Sequence, residues 1–172
     1  MKKILTICVA VLMAATTVSA KEYTHSLGVV AGSGIGAQYK VMPMEHFTII
    51  EEFGFLGSLC AAGRQGMNFA TLGAMNNLVL AYQTGALAEG DGIAMSVFAG
   101  GQVKAGYLPG DWGMIGVGAA AGIEANMKNA PIAFSFDFRP GYGCALINNG
   151  GGGVNGAHLF DWTLNLGVRY TF

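Results

Sequence analysis

The stretch that decides the fold is the last one of the chain, FDWTLNLGVRYTF, residues 160–172. Every second position is apolar or aromatic: Phe160, Trp162, Leu164, Leu166, Val168, Tyr170 and Phe172. The positions between them are small, polar or charged: Asp161, Thr163, Asn165, Gly167, Arg169 and Thr171. Since successive side chains of a strand point to opposite faces, this segment predicts a strand with one wholly apolar face. Aromatic residues at both ends are typical of a strand that crosses a membrane.

The same alternation recurs along the chain and predicts seven more strands. They are Leu27–Ala31, Ile35–Met42, Phe47–Leu56, Asn76–Gln83, Ile93–Gly101, Trp112–Met127 and the segment 132–139. We therefore expect an all-β chain folded as one antiparallel transmembrane β-barrel of eight strands. The alternative is that residues 26–42 form one long strand, which would remove the even strand count. Short turns are expected near 43–46, 84–91 and 128–131, and outer loops near 32–34, 57–70, 102–111 and 143–158.

The composition favours a membrane location for such a barrel. Charged residues make up 11% of the chain and hydrophobic residues 52%, whereas a soluble domain carries about 25% charged residues. After residue 20 no apolar run is long enough to cross a bilayer as a helix. Because only helices and closed barrels satisfy every backbone group in lipid, a barrel is the remaining way to span the membrane.

The first 20 residues are typical of a cleaved signal peptide. Lys2 and Lys3 precede an uncharged apolar segment, and small residues end at Ala20, where we place the cleavage. Residues 21–172 then form the barrel domain, and the outer membrane is its expected location. This mature segment retains seven Lys and Arg against ten Asp and Glu, a net charge of −3. No basic patch remains, so nucleic acid is not an expected partner.

The inward-facing positions of these strands collect charged residues. They are Lys40, one of Glu51 and Glu52, Glu124, Asp137, Arg139, Asp161 and Arg169. The phase of the third strand is ambiguous at this point. Either one of the two glutamates faces inward, or the strand contains a bulge. Because an eight-stranded barrel is only wide enough to be filled by side chains, these charges predict a paired network that closes the interior rather than a wide pore.

The residues that could form a catalytic or metal-binding site are not expected to lie close together in this arrangement. His25, His46 and His158 fall at the N-terminal edge, in a turn and in the last outer loop, and no catalytic triad or metal-ligand spacing is present. We expect no enzyme activity, no cofactor and no metal. Cys60 and Cys144 could form a disulfide in an oxidising compartment, although their spacing specifies no geometry.

Four segments resemble a family of small outer-membrane β-barrel proteins of Gram-negative bacteria. They are residues 36–40 (GAQYK), 118–124 (GAAAGIE), 130–140 (APIAFSFDFRP) and 166–172 (LGVRYTF). The resemblance implies an eight-stranded barrel with Lys40, Glu124, Asp137 and Arg169 inside, and it implies no activity. Tyr170 and the terminal Phe172 are similar to the signal by which the barrel-assembly machinery recognises its clients.

Three hypotheses about function follow from the sequence. The first is an integral outer-membrane barrel with a structural or surface-interaction role, in contact with lipid and with an unspecified surface partner. The second is a barrel enzyme that acts on lipid or lipopolysaccharide. The third is a secreted soluble β-barrel that binds a small apolar ligand, which would require an apolar interior.

Overall fold

Nine strands make up the part of the chain that the computed structural model describes, namely residues 23–32, 34–56, 73–108, 112–148 and 154–172. The four nearest the N-terminus are β1 His25–Ala31, β2 Ile35–Met44, β3 Phe47–Leu56 and β4 Gly73–Gln83. A two-residue strand follows, β5 Ala88–Glu89. The longest four end the chain: β6 Ile93–Leu108, β7 Trp112–Met127, β8 Ile132–Asn148 and β9 Val154–Thr171.

Eight of these strands close into a ring. Neighbouring strands pair antiparallel in the order β4-β3-β2-β1-β9-β8-β7-β6, and β4 also pairs with β6, so no long strand is left at an open edge. The short β5 lies outside the ring and pairs only with the start of β6. The prediction of a closed eight-stranded antiparallel barrel is therefore confirmed.

The two ends of the barrel differ in their connections. One end, called here the terminal end, carries the start of β1, the end of β9 and the links 45–46, 84–92 and 128–131. The first and last ring strands are joined there by backbone hydrogen bonds in both directions between His25 and Phe172, at 3.1 and 2.9 Å. The other end, called the loop end, carries the remaining four links.

The largest differences from the sequence prediction are at three strand boundaries. β6 continues to Leu108, β8 continues to Asn148 and β9 begins at Val154, so the expected outer loops 102–111 and 143–158 are mostly strand. In 102–108 the alternation continues, with Val103 and Tyr107 exposed and Gln102 and Lys104 buried. In 143–148 the alternation is weak, and register with the neighbouring strands identifies the strand. The expected turn 43–46 is also wrong in part, because β2 reaches Met44 after a bulge that accommodates Pro43.

The phase of β3 resolves the choice between the two adjacent glutamates. Thr48, Ile50 and Glu52 are all buried in the barrel, and the β2–β3 register runs without a shift from Val41 to Ile35. Glu52 therefore faces inward and Glu51 faces outward, and the bulge considered for β3 is absent from this paired stretch.

The distribution of polarity is inverted relative to a soluble domain. Among the described residues, 17 polar or charged side chains are buried but only seven hydrophobic ones. Conversely, 28 large hydrophobic side chains are exposed, including Ile35 at 72% and Phe160 at 72%. The small apolar part of the interior is a cluster on neighbouring strands: Ile50, Val79, Ala81, Phe98 and Ala120.

Close strand packing depends on glycine at two inward positions. A Cβ atom on Gly28 would lie 1.9 Å from the Val168 carbonyl oxygen, and one on Gly100 would lie 2.0 Å from the Leu80 carbonyl oxygen. Both obstacles are backbone atoms of the adjacent strand, which cannot move aside without breaking the ladder. Gly28 thus permits the β1–β9 contact and Gly100 permits the β4–β6 contact, and both contacts are needed to close the ring.

Candidate functional site

The candidate site is the charged interior, which the strand alternation builds from six side chains on five different strands. Two clusters of three are formed. The terminal-end triad consists of Lys40 on β2, Glu124 on β7 and Arg169 on β9. The loop-end triad consists of Glu52 on β3 with Asp137 and Arg139 on β8.

Glu124 is the centre of the terminal-end triad. Its two carboxylate oxygens each accept a hydrogen bond from the Lys40 ammonium at 2.8 Å, and Arg169 donates to Oε2 from the other side. Gln83 adds a bond to Oε1 at 3.0 Å and accepts one from Lys40 at 2.6 Å. All three charged groups are fully buried, so this carboxylate is held between two cations away from water.

Tyr23 covers this triad from the terminal end. Its hydroxyl donates to Glu124 and accepts from the Lys40 ammonium at 3.0 Å, and the same ammonium lies 5.3 Å from the Tyr23 ring centroid. Burial, together with the Glu124 carboxylate, raises the pKa of the Tyr23 phenol well above its usual range. Tyr23 therefore stays protonated and serves as a permanent donor.

Arg139 is the centre of the loop-end triad. Its guanidinium donates to both Glu52 oxygens at 2.6 and 2.7 Å, a bidentate pair. It also donates to both Asp137 oxygens at 2.6 and 2.9 Å. Asn165 and Asn77 then supply one further donor each, to Asp137 at 2.8 Å and to Glu52 at 3.1 Å. The arginine is thus held between two carboxylates.

Gln38 joins the two triads. Its amide donates to Glu52, and its carbonyl oxygen accepts from Arg169, so hydrogen bonds run without interruption from Tyr23 to Asn165. The triads are complementary in charge: two cations and one carboxylate near the terminal end, two carboxylates and one cation towards the loop end. Their six charges cancel, which limits the cost of burying them.

The structure places six of the predicted interior residues in the two triads. Lys40, Glu52, Glu124, Asp137, Arg139 and Arg169 all lie in the two triads. Asp161 lies in β9 opposite Gly141, but its side chain is outside the described set. Sequence reasoning missed Lys104, which is buried in β6, because residues 102–111 were expected to be a loop. It also missed Tyr23 and Gln38. The available signal for Gln38 was its position two residues before Lys40, which places both side chains on the same inward face.

The remaining predicted sites are placed as follows. Cys144 lies half-buried in β8, while Cys60 falls outside the described residues, so the disulfide stays a prediction. Phe172 is half-exposed at the terminal end and stacks on Tyr170 at 6.2 Å and on His25 at 5.9 Å. This accessible aromatic group is compatible with the assembly signal, whose role stays a prediction.

The described histidines are engaged in structural contacts at the terminal end. His25 Nδ1 lies 2.6 Å from the Tyr39 hydroxyl, and His46 Nδ1 lies 2.9 Å from the Gln83 carbonyl oxygen. His46 closes the two-residue β2–β3 turn with a φ of 67°, a conformation that ordinary residues seldom adopt. The side chain of His158 is outside the described set.

The described barrel contains a small cavity. A cavity of about 20 Å³ lies near the loop end, lined by residues that include Val30, Glu52, Met75 and Asn165. That volume is close to the minimum for a single water molecule. Within the described ranges, no three His, Cys, Asp or Glu side chains come together in a way that could hold a metal ion.

No helix among the described residues is long and apolar enough to cross a membrane.

Comparison with known proteins finds a similar solved structure but no matching family. No family model matches the chain, and no curated protein matches it either. Among solved structures it is similar to a major outer membrane protein from Thermus thermophilus, at 15% identity and a TM-score of 0.47. The likeness covers 88% of this chain and 100% of that protein. The barrel fold rests on the strand pairing described above, and the family resemblance stays a prediction.

Proposed function

We propose that this protein is an integral outer-membrane β-barrel with a structural or surface-interaction role and no enzymatic activity. Its interior is closed by the two charged triads, and its exterior contacts membrane lipid. In this proposal the terminal end faces the periplasm, because short turns are typical of that side. The barrel-assembly machinery is its partner during biogenesis.

The observation that carries the proposal is the inverted polarity. In water, a surface with 28 exposed large hydrophobic side chains would drive aggregation, whereas in lipid it is the favourable arrangement. Closure of the ring leaves no unpaired strand edge to be exposed to hydrocarbon. Burial of seven charged side chains is understandable only if the interior is the polar side of the structure.

The strand lengths support a role at the cell surface. β6 to β9 contain 16, 16, 17 and 18 residues, whereas about 9–11 residues suffice to cross the bilayer. Since the β7–β8 link 128–131 is short and β9 ends beside the start of β1 at the terminal end, the additional length of these strands extends beyond the bilayer at the loop end. They would present a rigid sheet to the outside, which suits contact with a surface partner.

The two rival hypotheses find less support. A carrier of an apolar ligand needs an apolar cavity, but the described interior is filled by ion pairs and amides. A lipid-modifying enzyme needs a nucleophile and a base on one rim. The two described histidine side chains instead lie at the terminal end and are engaged with Tyr39 and Gln83.

The proposal is tested by fractionation and by heat-dependent gel mobility. The full chain should partition with the outer membrane, and it should migrate differently on SDS gels before and after boiling, because a closed barrel resists the detergent. As an internal control, Gly100→Ala should reduce the fraction in the unboiled form. Recovery of the protein in the soluble periplasm, with no mobility shift, would overturn the proposal.

A further inference from the structure

The strands of the barrel increase in length around the ring. β1 has 7 residues, β2 and β3 have 10 each and β4 has 11, whereas β6 to β9 have 16, 16, 17 and 18. Because β1 and β9 are neighbours, the shortest ring strand lies beside the longest. Every ring strand has two neighbours, but one of the neighbours of β9 covers only part of its length.

The uncovered part of β9 begins just beyond the β1–β2 turn. Pairing between β1 and β9 ends at Leu166. The turn covers the next residues, since a Cβ atom on Gly32 would lie 1.9 Å from Asn165 Oδ1 and 2.6 Å from the Leu164 carbonyl oxygen. The stretch Val154–Trp162 pairs with β8 over its whole length but has no partner on the β1 side among the described residues. We call this stretch the open edge.

The open edge presents a regular row of backbone hydrogen-bonding groups. Phe172 and His25 exchange both of their backbone hydrogen bonds, and in an antiparallel ladder such pairs recur at every second residue. The single register of β9 with β8 continues this alternation along the strand. Every even-numbered residue of the open edge therefore directs its N–H and C=O groups to the open side: Val154, Gly156, His158, Phe160 and Trp162.

The open edge lies outside the bilayer in the orientation proposed above. The 11 residues from Phe172 back to Trp162 are enough to cross the membrane as a tilted strand. Trp162 and Phe160, which are 60% and 72% exposed, then lie at the outer interface, where aromatic side chains are typical. The remainder of the open edge is in water, so its open backbone groups do not conflict with a wall that is closed within the hydrocarbon.

The sequence of the open edge lacks the usual protection of an unpaired strand. Natural proteins discourage pairing at exposed edges with lysine or proline. Residues 154–162, VNGAHLFDW, contain neither, and Asp161 is their only carboxylate. An unprotected edge of this length is a template for another strand.

A second copy in the same membrane does not fit the open edge. Strands of a transmembrane barrel tilt by about 35–45°. Where two copies related by an axis along the membrane normal face each other, their β9 strands tilt in opposite directions, so the edges cross at roughly twice that angle instead of lying side by side. The occupant must instead be free to take the direction of β1, which a segment of another protein outside the membrane can do.

We propose that the open edge is a strand-addition site at the cell surface, which binds an extended segment of another protein as a continuation of the β1–β9 ladder. This proposal rests on the membrane location and orientation proposed above. Backbone hydrogen bonds hold the segment, as in other complexes that add a strand to a sheet edge. Phe160 and Trp162 are exposed on the outer side of the open edge, so the segment carries apolar side chains at every second position, beside these rings.

Binding of a synthetic strand to the refolded chain tests the site. The probe is a fluorescent peptide as long as the open edge, in which valine and threonine alternate and a lysine at each end provides solubility. The full chain, refolded in phosphatidylcholine vesicles, should bind this peptide saturably, as measured by fluorescence anisotropy. Empty vesicles are the control for adsorption of the peptide to lipid.

Methylation of the peptide backbone determines which edge of the peptide is used. When the valines lie beside Phe160 and Trp162, the valine N–H groups point to β9 and the threonine N–H groups point away from it. N-methylation of the valines should therefore weaken binding at least about tenfold, because several backbone hydrogen bonds are lost. N-methylation of the threonines is the matched control and should leave binding nearly unchanged.

A pair of protein variants tests the same contact from the side of β9. Phe160→Pro and Phe160→Ala both remove the aromatic ring, but only proline also removes an N–H group on the open side, and the ladder with β8 keeps its bonds. Phe160→Pro should bind the peptide about threefold to tenfold more weakly than Phe160→Ala, the effect of one lost hydrogen bond. Both variants should retain the heat-dependent mobility shift.

Three binding results would overturn the strand-addition site: no saturable binding by a chain that shows the mobility shift, equal weakening by both methylated peptides, or equal binding by the proline and alanine variants. Clumping of the loaded vesicles without peptide, abolished by Phe160→Pro, would also overturn it, because the open edge would then belong to a second copy in an opposing membrane. Absence of the mobility shift in the unaltered chain would instead refute the membrane proposal itself.

Discussion

Replacing Arg139 by methionine is the sharpest test of how the interior is organised. The guanidinium is 1% exposed and makes four hydrogen bonds, two to Glu52 and two to Asp137. Methionine preserves much of the side-chain length but removes the only cation of the loop-end triad. Two buried carboxylates are then left facing each other, with neutral amides as their remaining donors.

The expected loss in stability is large because of that like-charge pair. Removing one partner of a buried ion pair costs about 3–5 kcal/mol, chiefly as the penalty for the charge left behind. Asp137→Asn in the same triad should cost only about 1–3 kcal/mol, because the bidentate Arg139–Glu52 pair survives and just one charged hydrogen-bond partner is lost. The central residue of the triad should therefore matter more than a peripheral one.

The measurement is urea unfolding of the refolded chain in lipid vesicles, followed by tryptophan fluorescence and by the fraction in the unboiled gel form. The triple variant Glu52→Gln, Asp137→Asn, Arg139→Met removes all three charges at once. It should recover most of the stability lost in Arg139→Met, because no uncompensated charge remains.

Two results would refute this reasoning. Equal destabilisation by Arg139→Met and Asp137→Asn would show that the arginine does not act as the shared partner of both carboxylates. A triple variant no more stable than Arg139→Met would show that the loss comes from packing rather than from unpaired charge.

Three other predictions concern closure of the barrel. Gly100→Ala should destabilise the barrel strongly in the same urea assay, because the new methyl group would collide with the Leu80 carbonyl oxygen. The control Gly101→Ala should be nearly neutral, because the nearest atom to its new methyl group is 3.8 Å away. Equal effects of the two substitutions would contradict a packing role for Gly100. Tyr23→Phe should cost about 1–2 kcal/mol through the lost Glu124 and Lys40 bonds, while Tyr107→Phe on the outer surface should change little. Arg139→Ala and Arg169→Ala should mainly lower the stability of the barrel in the urea assay. A large rise in ion conductance across planar bilayers, with unaltered folding, would count against a closed interior.

The fold itself was largely predictable from local pattern. Phe160 to Phe172 and Trp112 to Met127 alternate strictly, and a strand's two-residue period converts such alternation directly into an outer and an inner face. The inward placement of Lys40, Glu124, Asp137, Arg139 and Arg169 followed from the same period. Where alternation weakens, as in residues 143–148, the strand was missed, because only pairing with neighbouring strands identifies it. Residues 102–108 do alternate, so the local pattern already contained the extension of β6 and the inward position of Lys104.

The sequence by itself determined which residues face inward on the strands that alternate regularly, because the direction of each side chain depends on the local period of its own strand. Only the tertiary structure decided which inward charges meet. Lys40 and Glu124 are 84 residues apart, and Glu52 and Arg139 are 87 apart, so their contacts depend on strand register and on closure of the ring. The same register decided that Glu51, rather than Glu52, is on the outer surface beside Asn76. A pattern of period two specifies faces, whereas partners across a barrel are specified by the ladders that close it.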